Sequence, residues 1–198
     1  MCAAIAPVAT EPASAMPACL EEARAVVRNT KNRPDFEEFF GDMPECASTP
    51  GALIKMFSCV SAESEEVKGL YDVLRQKGYT DPSFQGGDFC EISADEIRSD
   101  EVTARSLTNR LEAIAKEADA VADCRASIAK WLDDKSKLDA QDLIMSAQML
   151  NRAIELMQQQ LAPLEEQDKA TATTLTRIKR DVSGINDLVG LRIMFCAG

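Results

Sequence analysis

The chain contains no histidine among its 198 residues. Histidine is the usual general base of Ser-His and Cys-His nucleophile pairs and a common metal ligand, so its absence excludes these arrangements. Glycine-rich phosphate loops and nucleophile-elbow motifs are absent as well. Carboxylates are plentiful, but they fall in turns, caps and helix faces, without a spacing typical of an acid–base pair. We therefore predict that the protein is not an enzyme and has no catalytic, metal-binding or cofactor-binding residues.

Aromatic residues are scarce, at 5% of the chain, and no apolar run is long enough to span a bilayer. Hydrophobic residues nevertheless make up 45% of the sequence, which is sufficient for a core of Leu, Ile, Ala and Met. This composition favours packed helices over a β-sandwich. The net charge of -11 repels phosphate backbones, so we predict no nucleic-acid binding.

Two long segments carry apolar residues at alternating spacings of four and three, which places an apolar seam along one side of a helix. The first segment, about 94–132, opens with a capping box that begins at Ser93, and the second runs from about 143 to 189. The first seam consists of Leu107, Leu111, Ile114, Ala118, Val121, Ile128 and Leu132. The second consists of Leu143, Ala147, Leu150, Ile154, Met157, Leu161, Leu164, Leu175, Ile178, Val182, Ile185 and Val189.

A polar turn near residue 136 joins the two seamed segments, and helices joined by a short loop usually lie antiparallel. The sequence therefore predicts an all-α fold in which residues 93–198 form a long antiparallel helical hairpin of coiled-coil type. The apolar residues after Val189, among them Leu191 and Phe195, are expected to dock on this bundle.

Polar residues interrupt both seams. Arg125 interrupts the first, and Asp168 and Thr171 interrupt the second. Pro163 also lies within the second seam, where proline removes a backbone hydrogen bond and clashes with the preceding turn, at a cost of about 3 kcal/mol. Because the residues that follow are weak helix formers, we predict that the helix is kinked or broken near residues 162–174.

The part of the chain before the hairpin divides in two. Residues 1–18 are largely Ala, Pro, Thr and Ser, which cannot form a core, so we predict a disordered tether. Residues 19–92 are predicted to form a small helical region that contains cysteines and packs at one end of the hairpin. Its helices are expected at 19–29, at 50–60 and at 64–78, where a glycine at the end provides a C-cap.

Seven cysteines are spread along the chain without any C-x-x-C pair, which excludes a zinc ribbon and a thioredoxin-type motif. Separated cysteines are typical either of disulfides in an oxidising compartment or of small buried residues in a reducing one. We favour disulfides, although Cys124, beside the first seam, is explained equally well as a buried core residue.

Two disulfide pairs are candidates. Cys19 and Cys59 lie at the same end if their helices are antiparallel, and Cys90 and Cys196 both lie near the open end of the hairpin. Cys2 has two interpretations: a lipid anchor in front of the tether, which would be the only membrane contact, or an accidental cysteine in a disordered tail.

Three phenylalanines, Phe36, Phe39 and Phe40, lie within one and a half helical turns. The simplest interpretation is a packing cluster beneath a loop. The alternative is an anchor for a protein partner, because exposed aromatic clusters mark interfaces.

Two functional hypotheses follow. The first is a non-enzymatic structural or protein-interaction component of a bacterial cell-envelope or secretion-type assembly, in the periplasm or the envelope, because this setting explains the disulfides and the tether together. The alternative is a cytoplasmic acidic helical adaptor or chaperone whose cysteines are reduced. A small-ligand binder or an enzyme ranks below both. The expected partner is a protein of unknown identity, and an uncovered seam would also allow an oligomer.

Overall fold

The computed structural model describes residues 18–23, 25, 43, 44, 46, 50–81, 83, 87–137 and 144–196. Within this part of the chain the secondary structure consists of helices and turns, with no strand, so the prediction of an all-α fold is confirmed. The described helices also include none that is long and apolar enough to cross a membrane. Residues 1–17, with Cys2, and the cluster of Phe36, Phe39 and Phe40 lie outside the described residues.

The described residues contain three long α-helices. α1 spans Pro50–Gln76, α2 spans Ala94–Ser136 and α3 spans Ile144–Cys196. A single turn of 3-10 helix, Gly87–Cys90, precedes α2. Each of the three long helices packs against the other two, and α3 also contacts the 3-10 turn.

Side-chain contacts between α2 and α3 show that these helices are antiparallel. Arg125 pairs with Asp168, whereas Thr108, earlier in α2, accepts a hydrogen bond from Asn186 Nδ2, later in α3, at 3.0 Å. The antiparallel hairpin predicted from the two seams is therefore confirmed.

α1 also runs antiparallel to α2. Arg110 of α2 donates to Glu63 in the middle of α1 at 2.6 Å, whereas Tyr79, just beyond α1, donates to Asp100 near the start of α2 at 2.7 Å. α1 and α3 are consequently parallel, and the bundle runs up, down and up.

Both predicted seams lie in the core of a single chain. Completely burying an Ile or Leu side chain stabilises a fold by about 1.5–3 kcal/mol, so these rows dominate the packing. The buried seam residues of α2 are Leu107, Leu111, Ile114, Val121, Ile128 and Leu132. Those of α3 are Ile154, Leu161, Leu164, Leu175, Ile178, Ile185 and Val189. Leu143 and the side chains of residues 144–150, which include the predicted seam residues Ala147 and Leu150, lie outside the described part.

The predicted division between helices 50–60 and 64–78 is wrong, because α1 is continuous. Ser64, expected to start a new helix, is buried within α1, and its Oγ donates to the carbonyl oxygen of Val60 at 2.8 Å. The hydroxyl is satisfied inside the helix. Val60 and Val67 are both buried, so one apolar face continues across the position where we expected a boundary.

The C-cap predicted at Gly78 is confirmed. Its φ of 88° lies in the left-handed region that favours glycine. The backbone N–H of Gly78 donates to the carbonyl oxygen of Arg75 at 3.0 Å, and that of Tyr79 donates to the carbonyl oxygen of Leu74 at 3.1 Å. These two hydrogen bonds form a Schellman motif. This turn directs Tyr79 into the core. At the start of α2, the predicted cap is also present, since Ser93 Oγ accepts from the N–H of Glu96 at 3.2 Å.

Of the kink or break predicted near residues 162–174, the break is wrong, because α3 is helical throughout this range with Pro163 inside it. Pro163 is solvent-exposed, while Leu161 and Leu164 on either side are buried in the core. The burial of these two leucines offsets the lost backbone hydrogen bond, so tertiary packing overrides the local preference.

Two of the residues that interrupt the seams, Arg125 and Asp168, pair with each other. Arg125 Nε of α2 donates to Asp168 Oδ2 of α3, with side-chain exposures of 20% and 11%. Each charge therefore has its partner inside the interface, where an unpaired charge would be expensive. The pair also favours a single register, because a shift of either helix would bury both charges without a partner.

We expect Asp168→Leu to lower the free energy of unfolding by about 2 kcal/mol, because it leaves the Arg125 guanidinium partly buried without its counter-charge. Adding Arg125→Leu should recover most of this loss, since the seam then becomes continuous and apolar. Urea unfolding of the two single variants and the double variant measures this coupling. Losses that simply add in the double variant would contradict the account.

Candidate functional site

The end of the bundle where α1 and α3 finish and α2 begins holds a buried polar cluster. We call it the end network, and its residues are Lys77, Tyr79, Phe89, Asp100 and Arg192. Asp100 is 1% exposed and accepts hydrogen bonds from the Tyr79 hydroxyl, at 2.7 Å, and from Lys77 Nζ. The carboxylate is thus paired and hydrogen-bonded, which a buried charge requires.

Arg192 connects α3 to this cluster. Its side chain is buried, with Nη1 donating to the Tyr79 hydroxyl at 2.9 Å and Nε donating to the Phe89 carbonyl oxygen at 2.9 Å. The guanidinium carbon lies 5.3 Å from the Tyr79 ring centroid and 5.6 Å from that of Phe89, within cation–π range. One side chain therefore joins α3 to the cap of α1 and to the 3-10 turn.

The surroundings raise the pKa of two groups in this network, Tyr79 and Lys77. Burial raises the pKa of Tyr79 to about 12, and the hydrogen bond to Asp100 acts in the same direction, while that from Arg192 opposes it. For Lys77, burial alone would lower the pKa, but the hydrogen bonds and charges of Asp100 and Glu96 outweigh it and raise the pKa. Neither group releases a proton near neutral pH, so the arrangement suits a structural joint more than a general base.

A disulfide fastens the same end covalently. Cys90, the last residue of the 3-10 turn, is bonded to Cys196, the last residue of α3, with a Cα–Cα distance of 5.2 Å. The Sγ atom of Cys196 lies 3.6 Å from the Phe89 carbonyl oxygen that also accepts from Arg192. The last turn of α3 is therefore held by one covalent bond and one buried arginine.

Beside this joint, three apolar side chains of α3 face solvent. We call them the end patch: Leu191 is 42% exposed, Met194 70% and Phe195 69%. The prediction that this apolar tail docks on the bundle is wrong for these residues, because Arg192 takes the inward position and only Ile193 is partly buried against the core. Large apolar and aromatic side chains presented on a fixed backbone are typical anchors of protein interfaces.

Two further disulfides lie along the bundle. Cys19 is bonded to Cys59 and Cys46 to Cys124, with Cα–Cα distances of 5.9 and 5.7 Å. The pairs Cys19–Cys59 and Cys90–Cys196 are the two candidates of the sequence analysis, whereas Cys46–Cys124 was not foreseen. Cys124 is buried, as its position beside the seam indicated, but burial gave no sign that it also had a partner.

A groove of about 200 Å³ lies near the middle of the bundle. It is smaller than typical ligand pockets of about 300–1,000 Å³, and Asp168, one of its lining carboxylates, already pairs with Arg125. A second groove, between α2 and α3, measures about 310 Å³, which is at the lower limit of that range. Among the residues that the structure describes, no cluster of three His, Cys, Asp or Glu side chains could hold a metal ion. The bundle end is therefore the stronger candidate for a functional surface.

The chain matches no protein-family model, no curated protein and no solved structure. The interpretation of the bundle end consequently depends on its own geometry and chemistry. The end network was not identified from the sequence, although one signal was available, because Arg192 is a single charge within an otherwise apolar run from Leu191 to Phe195.

The end network predicts unusual alkaline titration of tyrosine. The chain has two tyrosines. Burial, followed by the hydrogen bond to Asp181, also raises the pKa of Tyr71, so the variant Tyr71→Phe isolates Tyr79. In this variant we expect the ultraviolet absorbance of phenolate to appear near pH 12 in the folded protein and near pH 10 in urea.

The free energy of unfolding must change over the same pH range. The folded state keeps the Tyr79 proton, whereas the unfolded state releases it near pH 10. The contribution of Tyr79 to the free energy of unfolding is therefore complete below pH 10 and is lost as the pH rises to about 12. The loss is on the order of 2 kcal/mol. Phenolate formation near pH 10 in the folded variant would contradict this assignment.

Proposed function

We propose that this protein is a non-enzymatic structural or protein-interaction component of a bacterial cell-envelope or secretion-type assembly. Its three disulfides support an oxidising setting such as the periplasm, since cytosolic reductants keep most thiols reduced. A cytoplasmic adaptor with reduced cysteines fits this arrangement less well. The end network supports the non-enzymatic part, because its titratable groups serve to join helices.

The observation that carries the proposal is that the end patch lies on a helix turn whose backbone is held in place. Met194 and Phe195 are each about two-thirds exposed, yet the helix turn that bears them is tied by Arg192 and by the Cys90–Cys196 bond. Ordering a flexible side chain or loop on binding costs affinity, so anchors on a rigid backbone bind at a lower cost. This is the arrangement expected of residues that bind another protein.

The burial of the seams bears on where a partner binds. Because both seams are covered within one chain, an oligomer built by pairing seams would require the bundle to open. A partner is therefore expected on the outer surface. The acidic character of the chain, with a net charge of -11, favours a partner with a basic rim around an apolar recess.

We test the proposal by placing a photoreactive amino acid at Phe195 in cells that naturally contain the protein. The matched control carries the same amino acid at Glu166, which is exposed on the same helix far from the end patch. We expect a discrete adduct with one other protein from position 195 and none from position 166. Adding Met194→Ser should reduce the adduct roughly five-fold or more, because truncating a residue that anchors an interface costs about 1 kcal/mol or more.

The experiment has two contradicting outcomes. If positions 195 and 166 give the same adducts, the contacts are non-specific. If position 195 gives none while the protein is present at its natural level, the end patch is not an interface. The thermal midpoint of each variant provides the folding control, and we expect it to be nearly unchanged because the substituted side chains are exposed.

A further inference from the structure

The three disulfides differ in their access to solvent. Cys19–Cys59 and Cys46–Cys124 each contain a cysteine that is only 3% exposed, Cys59 in one and Cys124 in the other. The partners of these two buried cysteines are the half-buried Cys19 and the exposed Cys46, so one sulfur can be reached in each bond. In the third, Cys90 is exposed and Cys196 is half-buried, so neither cysteine is buried. Thiol–disulfide exchange requires a thiolate to reach one sulfur along the bond and the other sulfur to leave as a thiolate, so a disulfide without a buried cysteine reacts first.

We propose that the Cys90–Cys196 disulfide is a redox-sensitive link, which a dithiol reduces before the other two disulfides. Its reduction controls whether the last turn of α3 is held against the bundle. This inference goes beyond the proposed function, because it concerns the bond itself and holds whether or not a partner binds the end patch.

The reaction is an ordinary exchange of thiol for disulfide with a dithiol as the reductant. A thiolate of the dithiol attacks Cys90 Sγ, the Cys90–Cys196 bond breaks, and its electron pair leaves on Cys196 Sγ, which then takes up a proton. The second thiol of the dithiol attacks the mixed disulfide and releases Cys90 as a thiol. The protein gains two electrons and two protons, and the dithiol is oxidised to a disulfide.

The position of Cys196 favours its role as the leaving group. Cys196 is half-buried, whereas the sulfurs that would leave from the other two bonds belong to the buried Cys59 and Cys124. Burial disfavours the charged thiolate, so the other two bonds have the poorer leaving groups.

The structural change that follows reduction of this disulfide should be confined to the last turn of α3. Arg192 remains bonded to Tyr79 and Phe89 after reduction, and the two other disulfides remain closed, so the bundle stays folded. Beyond Arg192, Met194 and Phe195 are largely exposed and bury little surface that could hold the turn in place. Opening the bond therefore releases the residues of the end patch that follow Arg192.

The test uses the full chain with Cys2→Ser, which prevents exchange by that thiol. Graded dithiothreitol, rapid alkylation and peptide mass spectrometry give the order of reduction. We expect Cys90 and Cys196 to be alkylated roughly ten-fold or more faster than the other four cysteines. At the point where only this bond is open, amide hydrogen exchange should increase at residues 193–196 and remain unchanged in the rest of α3.

The variant Cys90→Ser with Cys196→Ser is the matched control and should reproduce the exchange pattern of the selectively reduced protein without any reductant. Reduction of all three bonds together, or of another bond first, would overturn the proposal. It would also be overturned if the selectively reduced protein and the double serine variant both kept the exchange protection of the oxidised protein at 193–196, or if both lost it along the whole bundle.

Discussion

The mutual burial of the two long seams, with α1 packed on both, is the constraint on which the rest of the structure depends. It keeps α3 helical through Pro163, because the buried Leu161 and Leu164 hold the helix on either side of an exposed proline. It also excludes unpaired charges from the interface, which is why Arg125 and Asp168 meet there. Periodic apolar rows alone would tolerate a shift by one heptad, whereas this charge pair and the disulfides distinguish one register from the others.

The bundle end shows how packing produces an exposed apolar surface on a fixed backbone. The left-handed turn at Gly78 places Tyr79 inside, where it bonds to Asp100 and receives a hydrogen bond from Arg192. Because Arg192 turns inward, its apolar neighbours in the same helical turn face outward, and the Cys90–Cys196 bond holds them there. Exposed anchors on a backbone fixed in this way are consistent with the interaction role that we propose.

Features encoded in local patterns could be predicted from the sequence. The 4-3 spacing gave the seams and the hairpin, and the residue types at Ser93 and Gly78 gave a helix start and a helix end. Features decided by tertiary contacts could not. Ser64 is a common starting residue but is satisfied inside α1, and Cys46 meets Cys124 across 78 residues of chain without any local sign. The end network was missed because Asp100, in a helix rich in charges, looks like a surface residue until its partners are known.

Three helices are packed in one register and linked by three disulfides, and we propose that these bonds form in an oxidising compartment. The most direct measurement is a non-reducing peptide map of the protein from its natural source, with free thiols alkylated before the cells are broken. The account predicts three linked peptide pairs, Cys19–Cys59, Cys46–Cys124 and Cys90–Cys196. Different pairings would contradict the register of the helices. Alkylation of all six of these cysteines would contradict both the disulfides and the oxidising compartment.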